Sequence, residues 1–290
     1  MKRLRDVLSL VKFSHSIFAL PFALQGAWLA AGGVPRLRTL TWIVVAAVAA
    51  RTAALAFNRL VDRDVDAVNP RTTARELPAG RLSPGAVRAL VVVSAAAFLG
   101  AAWMLNPLAG KLAPAVLVVL LGYSYVKRFS VTAHLVLGLA LALAPLGAWV
   151  AVRGDLAGDL LPILLLAGVV WTWVSGFDLI YACQDAEFDR EHGLFSVPGR
   201  FGVGRALWLA RLLHAGTVLL LAGFAASADL GWVYWISVAG AAALLAWEHA
   251  LVAPDDLSRV DVAFFTVNGW VGVALFVGLA VDMSVHPVLV

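Results

Sequence analysis

Cysteine is almost absent from this 290-residue chain: Cys183 stands alone, so no intramolecular disulfide can form. Cysteine usage therefore says nothing about the redox compartment. Charge is scarce too. Only 14% of residues are Asp, Glu, Lys or Arg, against 62% hydrophobic, where a soluble domain carries about 25% and about 45–50% respectively. So few charges could not cover that much apolar surface in water, which excludes an ordinary soluble fold. Also missing are the short alternating segments of about ten residues that mark barrel strands. Only helices and closed barrels satisfy their backbone groups inside lipid, and the apolar runs here are long and continuous. The expected fold class is all-α: a polytopic membrane helical bundle forming a single integral membrane domain over 1–290.

Nine transmembrane helices are predicted, at about 13–33, 39–59, 85–105, 108–126, 132–152, 160–183, 205–224, 230–252 and 262–282, each near the roughly 20 residues that cross about 30 Å of hydrocarbon. The first run has no small-residue cleavage pattern and leads straight into further spans, so it is expected to be mature structure. The formal charge is +4, but its location matters more than its sum; no nucleic-acid partner is expected. One side of the bundle receives Lys2, Arg3, Arg5, Lys12, Arg59, Arg63, Arg71, Arg75, Arg81, Arg88, Lys127, Arg128, Arg190, Arg200, Arg205, Arg211 and Arg259. The other receives only Arg36, Arg38, Lys111 and Arg153. The positive-inside rule then places the N-terminus in the cytoplasm.

Two connections are long, roughly 60–84 and 184–204, and both fall on the cytoplasmic side with most of the clustered acid. In the first, Asn58, Asp62 and Asp66 are spaced i, i+4, i+8 and share a helical face, while Asp64 points away. In the second, Asp178, Tyr181, Asp185 and Asp189 follow i, i+3, i+7, i+11, again on one face, with Glu187 turned aside. Stacked carboxylates repel one another. A hard divalent cation relieves that repulsion, and Mg²⁺ takes one or two carboxylates, keeps waters and completes its shell with substrate phosphates. Either cluster alone is equally readable as solvated loop acid; two clusters on the same side, at matched helix ends, point to diphosphate chemistry.

Asn-x-x-x-Asp-x-x-x-Asp at Asn58–Asp66 and Asp-x-x-Tyr-Ala-x-x-Asp-x-x-x-Asp at Asp178–Asp189 resemble the UbiA superfamily of membrane prenyltransferases. The resemblance covers the whole chain and extends to Arg75-Glu76-Leu77-Pro78-Ala79-Gly80, Tyr125-Val126-Lys127-Arg128 and Phe195 to Gly202. The opening stretch, Lys12 to Ala23, is similar to the branch that uses aromatic acids. This implies Mg²⁺-dependent transfer of a polyprenyl group from polyprenyl diphosphate to an aromatic acid acceptor. Two acceptors compete, 4-hydroxybenzoate for ubiquinone and 1,4-dihydroxy-6-naphthoate for menaquinone; the run from Gly176 to Leu194 looks more like the latter subgroup. A haem, chlorin or lipid-glycerol acceptor is the alternative within the superfamily. A transporter is the alternative outside it, although transporters concentrate ionisable residues at the bilayer midplane.

The roles expected follow. Asn58, Asp62 and Asp66 bind one Mg²⁺ set, and Asp185 and Asp189 the other. Arg75, Lys127 and Arg128 contact diphosphate oxygens, where Arg matches phosphate bidentately; basic residues gather on the inside in any case, and Arg71, Arg81 and Arg88 are assigned to that bias alone. Arg51, a cation within an apolar span, is expected to bind the acceptor carboxylate. Asp178 and Tyr181 are placed at the acceptor, Asp178 orienting or deprotonating its hydroxyl, with a metal-ligand role left open by the spacing. Trp171, Trp173, Phe177, Tyr123 and Tyr125 are candidates for cation–π shielding, although packing or an interfacial belt explains any one of them better. His15, His214, Glu248 and His249 are further candidates, the last three better explained as bundle hydrogen bonds. The expected location is the bacterial cytoplasmic (inner) membrane, with the active site facing the cytoplasm.

Overall fold

The computed structural model describes Leu10 and residues 18–286; Lys2, Arg3, Arg5, Lys12 and His15, on which part of the sequence reading rests, lie outside them. Among the described residues the chain is helical, with one isolated bridge between Ala253 and Asp256. In order the helices are α1 (Leu20–Ala31), α2 (Leu37–Val68), α3 (Pro84–Leu105), α4 (Pro107–Val126), α5 (Ala133–Arg153) and α6 (Leu161–Ala182). A 3₁₀ turn (Cys183–Asp185) leads to the short α7 (Ala186–Glu191) and α8 (Val197–Phe201). Then come α9 (Val203–Ser227), α10 (Trp232–Ala250), a π-helical segment (Val262–Val267) and α11 (Asn268–Val285).

Seven of the described helical segments are long and apolar enough to cross a membrane. The other two predicted spans fall on α10, which has 19 residues and includes Glu248 and His249, and on α1, whose upstream part lies outside the described residues. Helix α2 is longer than predicted. Its 32 residues extend about 48 Å at 1.5 Å per residue, beyond the roughly 30 Å of hydrocarbon, so its acid-bearing last turns project past the apolar layer.

Helix α6 is the axis of the bundle, packed between α5 and α9. Val169, Val170, Trp173 and Val174 on it are fully buried. Small residues let the backbones approach: a Cβ at Gly138 of α5 would strike the Trp171 carbonyl, and one at Gly176 of α6 would strike the His214 ring. At the far end, buried Asp282 accepts from the N–H groups of Gly231 (2.7 Å) and Tyr234 (3.2 Å), satisfying orphan donors at the start of α10.

One expectation is corrected. The face from Asp178 to Asp189 assumed a continuous helix, but α6 stops at Ala182 and the tighter 3₁₀ turn follows. A 3₁₀ turn has about three residues per turn rather than 3.6, so the helical column from Asp178 to Asp189 is interrupted there, although Tyr181 and Asp185 still meet on one side chain, Arg71. Asp185 meets Asn69 and Arg71, just past the end of α2.

Candidate active site

The face predicted for α2 is the one that turns inward. Asp62 and Asp66 are 2% and 3% exposed, while Asp64 lies in solvent beside Arg63. Asp62 receives Lys127 Nζ at 2.7 Å, Arg128 Nη2 at 3.5 Å and the Asn58 amide nitrogen at 3.0 Å. Arg128 also donates to the Val61 carbonyl at 2.5 Å. Asp66 receives Arg75 Nη1 at 2.6 Å, and its other oxygen, Oδ2, is buried without a partner. The three basic residues expected on a diphosphate thus each sit on a carboxylate, because buried charge requires a counter-charge. Thr72, bonded through its hydroxyl to the Asp66 carbonyl, folds the following loop back so that Arg75 reaches Asp66.

Arg71 joins the two acidic ends. Its Nε donates to Asp185 Oδ1 at 2.9 Å, its Nη2 bonds Asp185 Oδ2, and its Nη1 donates to the Tyr181 hydroxyl at 2.9 Å. Burial opposes its charge, but Asp185 and then Tyr181 outweigh that, so its pKa is held above the ordinary guanidinium value. Asn69, just past α2, donates to Asp185 Oδ1 at 3.0 Å. The assignment of Arg71 to topology alone is therefore corrected: a forked donor bridging Asp185 and Tyr181 is placed by geometry, not by charge bias. Asp189 hydrogen-bonds Ser196, and a Cβ on Gly199 would lie 3.2 Å from Asp189 Cβ, so glycine lets α8 close over α7. The Phe195 amide donates to the Lys127 carbonyl at 2.7 Å, tying that loop to the end of α4.

Toward the membrane, Asp178 is bonded to His134 Nδ1 at 2.7 Å. His134 escaped the sequence reading, although a histidine opening an apolar run at the charged end was its signal. Arg51, inside α2, has its Nε buried and unpartnered and borders a small pocket formed with Ala19, Leu20, Ala47 and Val48. Arg59, grouped with the inside charges, is 7% exposed and its Nε also lacks a partner. Among the aromatic candidates, Trp173 and Phe177 are buried in the core cluster, Trp171 is exposed and donates to the Leu135 carbonyl, and Tyr125 is exposed with its ring edge on Phe57. Trp173 and Phe177 are thus packed in the core, while Trp171 and Tyr125 keep exposed faces. His214 and His249 bond each other at 3.0 Å, with Glu248 Oε2 3.5 Å from His214 Nδ1.

Among the described residues no three His, Cys, Asp or Glu side chains converge as a ready metal cage. The donor set nevertheless fits Mg²⁺: hard oxygen ligands, few per end, with Asp66 Oδ2 buried and unsatisfied. A cavity of about 830 Å³ lies at the other end of the bundle, against Trp149, Arg153, Asp159, Asp229 and His286, and contains none of the candidate site residues.

The fold and this site define a polytopic membrane protein that gathers acidic and basic side chains at one end of an apolar bundle, as a membrane enzyme acting on a charged head with a lipidic tail would. The UbiA prenyltransferase family matches residues 19–270. The chain belongs to this family of membrane prenyltransferases. It is 31% identical over 284 residues to the 4-hydroxybenzoate octaprenyltransferase of Pseudomonas aeruginosa (strain UCBPP-PA14), covering 97% of this chain and 94% of that protein. It is 34% identical over 257 residues to the mitochondrial 4-hydroxybenzoate polyprenyltransferase of Arabidopsis thaliana, covering 87% of this chain but 61% of that longer protein. Among solved structures, an apo UbiA homologue from Aeropyrum pernix K1 superposes with a TM-score of 0.84 at 36% identity, covering 93% of this chain and 98% of that one. A UbiA homologue from Archaeoglobus fulgidus bound to DMAPP and Mg²⁺ shares the fold, with a TM-score of 0.76 at 20% identity over 97% of this chain and 99% of that one.

Proposed function

We propose that this chain transfers a polyprenyl group from polyprenyl diphosphate, with Mg²⁺, to an aromatic acid with a phenolic hydroxyl: 4-hydroxybenzoate or 1,4-dihydroxy-6-naphthoate, in ubiquinone or menaquinone biosynthesis. The observation that carries this reading is the bridge from the end of α2 through Asn69 and Arg71 to Asp185, which brings two acidic ends, far apart in sequence, to one site. The names of the Pseudomonas and Arabidopsis relatives support the aromatic acceptor.

In this reading Asn58, Asp62 and Asp66 hold metal from one side and Asp185 and Asp189 from the other. Bound Mg²⁺ supplies neutralisation of the charge that grows on the leaving pyrophosphate. Arg75, Lys127 and Arg128 exchange their carboxylate partners for phosphate oxygens as substrate arrives, keeping charge-assisted bonds throughout. The allylic C1–O bond breaks with its electron pair on pyrophosphate, the ring carbon ortho to the hydroxyl attacks C1, and the ring proton is lost. Asp178, fixed by His134, orients the phenolic hydroxyl or accepts its proton, which raises the electron density of that ring carbon. Arg51 offers its unpartnered donor to the acceptor carboxylate, and Tyr181 borders the acceptor. The prenyl tail lies in apolar surroundings, since each CH₂ exposed to water costs about 0.8 kcal/mol.

The arginine and lysine asymmetry supports a site and N-terminus on the cytoplasmic side, and the membrane proposed is the bacterial cytoplasmic one. Purified protein incubated with Mg²⁺, geranyl diphosphate and each phenolic acid in turn tests the proposal. Prenylation of one acid supports it. Release of no product with either acid, alongside turnover with a haem, chlorin or lipid-glycerol acceptor, replaces it.

A further inference from the structure

Inside the last predicted span, Val262–Val267 is π-helical and passes into α11 at Asn268. A π turn widens the backbone and takes carbonyls away from their usual i+4 donors; such turns recur at functional sites, and buried carbonyls need another donor. Asn268, fully buried, provides it. Its Nδ2 faces the Ala263 carbonyl at 3.1 Å and the Phe264 carbonyl at 3.3 Å, and donates to Glu248 Oε1 at 2.8 Å. Its Oδ1 accepts from Trp173 Nε1 at 2.6 Å. One side chain therefore ties the wide turn both to α10 and to the central helix α6. Glu248 and Trp173 are also fully buried, so this fastening is shielded from water throughout.

The turn so held carries Phe264. Its ring centroid lies 4.3 Å from that of Tyr181, 5.1 Å from Phe177 and 5.6 Å from Phe18. Phe177 and Tyr181 flank Asp178 along α6, and the Tyr181 hydroxyl is the one that Arg71 engages. Unlike Trp173, Phe264 keeps part of its surface accessible. Drawing the extra residue of the π turn back into α geometry would rotate the side chains before it by about 100° relative to α11, taking Phe264 off Tyr181.

We propose that Asn268 is a positioning residue: by holding the π turn it keeps Phe264 as the wall of the acceptor pocket beside Asp178 and Tyr181. This rests on the aromatic acceptor proposed above. The test is a double-mutant cycle of Asn268→Leu and Phe264→Ala, with hydrogen–deuterium exchange over Val262–Val267 as a readout that needs no substrate. Asn268→Leu is expected to raise the acceptor KM about tenfold, the worth of a buried hydrogen bond, while the geranyl diphosphate KM stays within about twofold. The double variant is expected to be no worse than Phe264→Ala alone, and exchange over the turn to rise in Asn268→Leu. Thr172→Val, which removes the 2.8 Å bond to Thr217 between α6 and α9, is the packing control and is expected to leave both KM values unchanged. Multiplicative effects in the cycle, equal shifts in both KM values, or unchanged exchange would overturn the proposal. If Asn268→Leu does not fold, Asn268→Ser carries the same cycle. Wild-type protein that prenylates neither acid counts against the proposed function, whereas the exchange measurement decides separately whether Asn268 holds the turn.

Discussion

Replacing Arg71 with alanine removes one of the two side chains, with Asn69, through which the acidic ends meet. The change deletes two bonds to Asp185 and the 2.9 Å bond to the Tyr181 hydroxyl. Hydrogen bonds to charged groups contribute about 1.5–3 kcal/mol net. The Arg71 and Asp185 side chains are 29% and 18% exposed, so solvent screening reduces the sum. About 2 kcal/mol remains, or roughly 30-fold in kcat/KM. Arg71→Lys keeps the charge but not the fork that grips a carboxylate bidentately, and its loss is expected to fall between wild type and alanine. The assay is prenyl transfer from geranyl diphosphate at saturating Mg²⁺. Arg71→Ala within about threefold of wild type would show that the bridge is incidental to turnover, and the reasoning from it would fail.

Three further outcomes follow from individual contacts. Arg51→Leu is expected to raise the acceptor KM by at least about tenfold, the worth of a charge-assisted bond, with the diphosphate KM little changed; an unaltered acceptor KM removes Arg51 from that role. His134→Phe frees Asp178 from its 2.7 Å partner and is expected to lower kcat about tenfold to a hundredfold, as loss of an orienting group does, which steady-state kinetics would detect. Asp282→Ala strands the Gly231 and Tyr234 donors at the far end of the bundle and is expected to cost about 2–3 kcal/mol of stability. Thermal unfolding in detergent would register this, and an unchanged melting temperature would deny Asp282 its capping role.

Much of the architecture was legible because lipid imposes a simple rule: long apolar runs must be helices. The face of α2 was legible for a similar reason, since i, i+4, i+8 spacing fixes which side Asn58, Asp62 and Asp66 share. What could not be read depends on packing between distant elements. Nothing near Arg71 in sequence announces that its partner is Asp185, 114 residues on, and the inside charge bias supplied a sufficient reason for any arginine there. The His134–Asp178 pair is hidden in the same way. The 3₁₀ turn at Cys183–Asp185 and the π turn at Val262–Val267 carry no proline or glycine to mark them. The first lies where α6 leaves the bundle, and the second is fastened by Asn268, whose partners lie on two other helices.

The central claim is that carboxylates from both ends grip one diphosphate through magnesium, and a Mg²⁺ titration of geranyl transfer in wild type, Asp62→Ala and Asp185→Ala tests it most directly. Wild type should be silent in chelator and regain activity as Mg²⁺ is added, while both variants stay near background at every concentration. Full activity in chelator, or either variant turning over at the wild-type rate, would contradict the account.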